Sequence, residues 1–166
     1  MTKLILDSLA SQLEASLAML RQCIAACPPD RFDDKIGNDS FRQVAYHTLF
    51  FFDFYLAPSE TAFQLRDLHK KGGDERGADL SPGLSKEDAL ALIPLCREQI
   101  AITLNAETTE SLAGPTGFSR RKTARLELHI YNIRHTQHHV GQLSAFLRKI
   151  PQINADAIPW IGAGWK

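Results

Sequence analysis

Leu6, Leu9, Leu13, Leu17, Leu20 and Ile24 recur at intervals of three and four residues, the stripe that an α-helix presents along one face. A stripe of that length needs another apolar surface to cover it, so the chain is committed from its first segment to helix packing. Pro28 and Pro29 end the run, since neither can donate the next backbone hydrogen bond. A turn-rich stretch, DRFDDKIGND, follows. Ser40 then opens a second helix with Gln43 three residues on, the spacing of a capping box. Its body, FRQVAYHTLFFFDFYL, is apolar on nearly every side, and Pro58 closes it.

Residues 57–84 read as a loop with a polar, glycine-containing middle, HKKGGDERGADLSPG. A connection this long in a small domain is expected to be functional or partly mobile. Ser85 and Asp88 begin a third helix, SKEDALALIPLCREQIAITL, in which Pro94 is expected to cause a kink or end the first half. AGPTG at 113–117 is a break, and a fourth helix is predicted from about Lys122 to Lys149, stopped by Pro151. No segment alternates like a strand over a useful length, and no internal repeat is present. The expectation is an all-α four-helix bundle forming one domain over 1–166, with a long loop between helices 2 and 3 and an irregular C-terminal tail that carries Trp160 and Trp165.

Composition excludes several classes of function. Nineteen basic residues balance nineteen acidic ones, so no global field draws the chain to nucleic acid or to an anionic membrane. The nearest basic cluster, Arg120-Arg121-Lys122 with Arg125 one turn on, reads as a solvated helix start. No segment approaches the ~20 apolar residues of a membrane span, and the N-terminus reads as an amphipathic helix rather than a signal peptide. Cys23, Cys27 and Cys96 are an odd number without a second pair to build a zinc site, and are expected as buried small hydrophobes in a reducing, cytoplasmic compartment.

Half of the six histidines fall within NIRHTQHHVGQLSAFLR, residues 132–148. On a helix, positions four apart differ in direction by only about 40°, so His135 and His139 lie one above the other. Leu128, Asn132, Leu143 and Phe146 project within the same third of the circumference, so that face is expected to look inward. Two histidines at this spacing can reach one metal ion, yet the pattern alone is weak and better suits packed, hydrogen-bonded rings. His47 changes the balance. It sits mid-helix among Val44, Phe50, Phe51 and Phe54, which cannot satisfy its ring nitrogens. Three inward histidines on two helices are costly unless they share a divalent ion. Three imidazoles with the remaining coordination positions open are the pattern of a catalytic rather than a structural site, and neutral imidazoles favour nickel, copper or zinc over magnesium or calcium. Other architectures fit less well, because Glu-x-x-His, His-Glu-x-x-His and phosphate-binding glycine loops are all absent.

HTLFFFDFYL from His47, together with YNIRHTQHHVGQLSAFLR, resembles the DinB/YfiT-like superfamily of metalloenzymes. The most specific element is His-x-x-x-His followed by Gly-Gln-Leu in the last helix, paired with one histidine in the second. The resemblance implies a four-helix bundle, frequently dimeric, that holds a divalent metal, often nickel or zinc, through His47, His135 and His139. It also implies a small-molecule substrate and, by analogy with some members, a low-molecular-weight thiol as cosubstrate, in transfer or hydrolysis. No nucleic acid and no membrane are expected as partners. The chain departs from the common pattern at Val140, where many members carry an arginine, and this removes any substrate-anion role for that position.

Gln142, about one turn beyond His139, is a candidate to orient a ligand ring, with Asn132 and His138 as further neighbours of the pair. Asp53 reads as solvated and His69 as exposed in the polar loop. No residue is identified as general acid or base. Phe50, Phe51, Phe52, Phe54 and Tyr55 point all round helix 2, so the face bearing Leu49 and Phe52, taken to point away from the core, needs cover from the tail or from a second subunit in a homodimer. Two functional readings stand: a metal-dependent enzyme, entered beside the long loop or the tail, or a non-catalytic metal-binding or interaction module with a structural ion.

Overall fold

The computed structural model describes residues 1–69, 84–153 and 160–164. Helix α1 spans Thr2–Ala26 and buries Leu9, Leu13, Leu17, Leu20 and Ile24, the stripe read from the sequence. It stops because Cys27, which precedes Pro28, takes an extended conformation (φ −67°, ψ 125°), the region forced on a residue before proline. The turn-rich stretch holds a small antiparallel hairpin, β1 (Lys35–Ile36) and β2 (Asp39–Ser40). Two residues per strand are too few to leave an alternating pattern. Its turn is allowed by Gly37, whose φ of +64° suits the first central position of a tight hairpin turn.

Helix α2 (Phe41–Leu56) begins with the expected reciprocal cap between Ser40 and Gln43. Helix α3 (Lys86–Ala106) begins with the same device between Ser85 and Asp88. Pro94 does not end α3, which runs on for three further turns. The proline lies on the exposed side of the helix, where water can satisfy the carbonyl that loses its partner. A short α4 (Thr109–Ala113) follows, and α5 covers Arg125–Leu147. α5 starts later than the composition suggests because residues 114–124 close into a loop. Arg125 N–H donates to Gly114 O (2.9 Å) and Pro115 bridges Ala124, pinning the neck of that loop.

α1 and α2 each pack against both α3 and α5. The first two helices are therefore diagonally opposed across the bundle, with α3 and α5 between them. All three cysteines are free and buried, as their composition suggested. Among the described residues, no helix is long and apolar enough to cross a membrane.

α2 buries more of its circumference than expected, since Val44 and Phe50 are in the core as read but so is the face taken to point away from it. Leu49 and Phe52 are 0% exposed and belong, with Phe41, Ala45 and Leu56, to the main core. Neither the tail nor a partner subunit is needed to cover them. The tail lies elsewhere: Gln12 Nε2 donates to Gly162 O (3.2 Å) and Gly164 N–H to Ser11 O (3.0 Å), both on α1. Trp160 stands 78% exposed; Trp165 and the polar middle of the long loop lie outside the described residues. The side of α2 bearing Phe50 and Phe54 is covered by the segments that follow α2 and precede α5. Phe63 and His69 pack on Phe50, and Phe118 packs edge-on against Phe54 at 4.9 Å. Phe118 is held there by a close approach at Gly117 (φ +74°), where a Cβ would fall 2.8 Å from that of Ser59.

Candidate metal centre

His47 sits on the edge of α2, and His135 and His139 on the facing edge of α5. All three are half-buried rather than inward. The buried stripe of α5 runs through Leu128, Asn132, Thr136, Val140, Leu143 and Leu147, beside the histidine pair and not beneath it. The ion-sized gap between the helices is therefore at the rim of the bundle. Val140, at the position of the family arginine, is part of the core.

The three rings converge through their Nε2 atoms. His135 Nε2 lies 3.3 Å from that of His47 and 3.2 Å from that of His139, and one ligand atom from each residue lies within 4.8 Å of the others. Nitrogens bound at ~2.0–2.1 Å to one tetrahedral ion stand about 3.3 Å apart, so the spacing fits such an ion. Hydrogen bonding among the rings is a poorer solution. His135 Nε2 has at most one proton and faces two nitrogens.

Protonation and tautomer also favour a cation. Burial, followed by the neighbouring His139 and His47, pushes the His135 pKa down to about 3, with smaller contributions from Arg121 and His138. His135 is thus neutral at pH 7 and offers a lone pair. His139 Nδ1–H donates to Gln142 Oε1 at 2.8 Å, which puts the ring's lone pair on Nε2, facing His135. His135 Nδ1 is buried without a hydrogen-bond partner. Its ring is held by packing, stacked on Tyr131 at 5.8 Å and edge-on to Phe51 at 5.8 Å. Phe51 also packs against His47, with centroids 4.7 Å apart.

Of the three proposed neighbours, Gln142 alone bonds a ring of the triad. Asn132 is fully buried and donates to Phe52 O at 3.0 Å, fastening α5 to α2. His138 is exposed and packs against His139, with centroids 5.0 Å apart.

Several charged residues read as solvated are internal. Asp53 is buried and takes both Nε and Nη2 of Arg66, at 2.7 and 2.8 Å. His69 is buried too, accepting the Arg66 backbone N–H at Nδ1 (3.2 Å) with Nε2 3.8 Å from Asp53; burial lowers its pKa. Arg125 is not part of a solvated helix start: its Nε donates to Glu107 Oε1 (2.8 Å), and its Nη2 donates to Leu56 O (3.2 Å) at the C-terminus of α2, where positive charge is favoured. His129, fully buried, shares Glu107 Oε1 at 3.0 Å. Burial pushes the Glu107 carboxyl up, but bonds from His129, Arg125 and Ser111 outweigh it and hold the pKa at about 2. The spacing of Arg125 and His129, one turn apart, is the one sequence signal that could have pointed to this cluster.

A family model described as the DinB superfamily matches residues 12–143 of the chain. The chain belongs to that superfamily. No curated protein and no solved structure matches it.

Proposed function

We propose that this member of the DinB superfamily is a metal-dependent enzyme whose divalent ion is held by His47, His135 and His139. The observation that carries the reading is the convergence of three ring nitrogens on a half-exposed rim, with His135 Nε2 3.3 Å from that of His47 and 3.2 Å from that of His139. A structural ion is usually sealed by four protein ligands, whereas three ligands at an accessible edge leave room for substrate. Three neutral imidazoles suit nickel, copper or zinc, and the family resemblance favours nickel or zinc. A bound ion would supply Lewis acidity to a substrate oxygen or sulfur. The family resemblance points to S-transfer with a small thiol, or hydrolysis, as the reaction.

The residues of the chain supply position and shape. Gln142 orients His139, and Phe51 and Tyr131 clamp the ring of His135. The deciding experiment is metal analysis of the purified protein and of the double variant His135→Ala, His139→Ala. About one ion per wild-type chain and none in the variant is expected; full metal content in the variant overturns the assignment. A screen of the loaded protein for thiol-dependent transfer, with hydrolysis as the second arm, then tests the reaction class.

A further inference from the structure

Arg121 is a half-buried cation without an anion among the described residues. Its guanidinium lies 4.3 Å above the ring of Tyr131, and Nη2 donates to the Tyr131 hydroxyl at 2.6 Å and more weakly to that of Tyr55 at 3.4 Å. Its Nε is buried with no hydrogen-bond partner. Elsewhere among the described residues, Arg42 holds Asp33, Arg66 holds Asp53 and Arg125 holds Glu107. Among the described residues, Arg121 has only the two tyrosines and the carbonyl of Arg120.

This cation lines a cleft of about 440 Å³ walled by Phe51, Phe54, Tyr55 and Phe118, a volume in the usual range for small-molecule sites. The one carboxylate on the cleft, Glu60, is engaged elsewhere. It accepts the Ser119 backbone N–H at 2.7 Å and feels the charge of Arg120. The cleft adjoins the histidine triad through two rings. Phe51 contacts both His47 and His135, and Tyr131, beneath Arg121, stacks on His135. Arg120 also lines the cleft, but it is exposed and lies beside Glu60. The aromatic wall with the Arg121 guanidinium, which has no carboxylate among the described residues, recognises an apolar body that carries a planar anion.

We propose that this cleft is the substrate site, and that its ligand is an aryl or alkyl carboxylate whose carboxylate pairs with Arg121. The inference rests on the metal-centre reading only for the chemistry performed beside the cleft; ligand capture depends on Arg121 and the aromatic wall.

The test is calorimetric titration of phenylacetate and of the neutral phenylacetamide into metal-free and metal-loaded protein. Phenylacetate is expected to bind at least about tenfold more tightly than the amide, the usual advantage of a charge-assisted bond. Arg121→Gln should abolish that preference and Arg121→Lys should retain part of it. Arg120→Gln should reduce it far less than Arg121→Gln does, and Phe118→Ala should weaken both ligands. Equal affinity of the two ligands for the wild type overturns the proposal, as does a preference that survives Arg121→Gln or is lost instead on removing the metal. If Arg121→Gln fails to fold, the wild-type comparison and Arg121→Lys still decide. A protein that takes up no metal but keeps the Arg121-dependent preference overturns the metal-centre reading alone.

Discussion

The Nδ1–H of His139 points at Oε1 of Gln142, 2.8 Å away and three residues further along the same helix. Because the amide oxygen only accepts, the bond keeps the proton on Nδ1 and turns the Nε2 lone pair toward His47 and His135. Gln142→Leu should therefore lower metal affinity by roughly 10–100-fold, the usual effect of losing a residue that orients a ligand ring, with little change in the fold. A competition titration against a coloured chelator reads the effect; an unchanged affinity would show that packing alone fixes the ring.

In the proposed centre His47 would be the ligand contributed by the opposite helix, so it would decide whether an ion ties α2 to α5. An ion that binds the folded chain raises its Tm by mass action. Nickel or zinc added in excess should raise the Tm of the wild type and do little for His47→Ala. Equal shifts in the two proteins would reduce His47 to a packing residue.

Glu107 should set part of the acid limit of the fold. Its folded pKa, about 2, lies below the ordinary carboxyl value of 4.5. As pH falls from about 4.5 toward 2, the unfolded chain takes up this proton before the folded one does. Stability that is fully present above pH 4.5 is thus lost through that window. Glu107→Gln should cost on the order of 2 kcal/mol at pH 7, because Arg125 and His129 are left buried without their shared anion. The gap between wild type and variant in urea denaturation should shrink by pH 3; a gap that stays constant would mean that the carboxylate charge contributes nothing.

Phe52 distinguishes a core position from an exposed one. It is fully buried within one chain, so Phe52→Ala should cost about 3–5 kcal/mol, and Phe52→Glu should unfold the protein rather than change its assembly. Thermal denaturation together with light scattering separates these outcomes. A stable, well-folded Phe52→Glu monomer would return the residue to the surface.

Local physics made the helices readable. The caps at Ser40 and Ser85 and the stops at Pro28 and Pro58 involve residues within one turn of each other, and the pairing of His135 with His139 needs only the helical period. His47 could be named because a histidine amid phenylalanines is anomalous wherever the helix sits. The inner side of α2 could not be read in the same way. A helix apolar all round has no weak side, so the choice of Leu49 and Phe52 for the core, with His47 and Phe51 at the rim, is made only when α3 and α5 close on it. The same holds for the charges. Asp53 and Arg66 are separated by 13 positions, and Glu107 and Arg125 by 18; each looks solvated until the chain brings its partner to it. Arg121 is the converse case, a residue in a run of basic side chains that the closed 114–124 loop lays over Tyr131 beside the histidines. Periodicity and capping act over a few residues and are written in the chain; burial and charge pairing depend on which distant segments meet, and tertiary packing alone decides that.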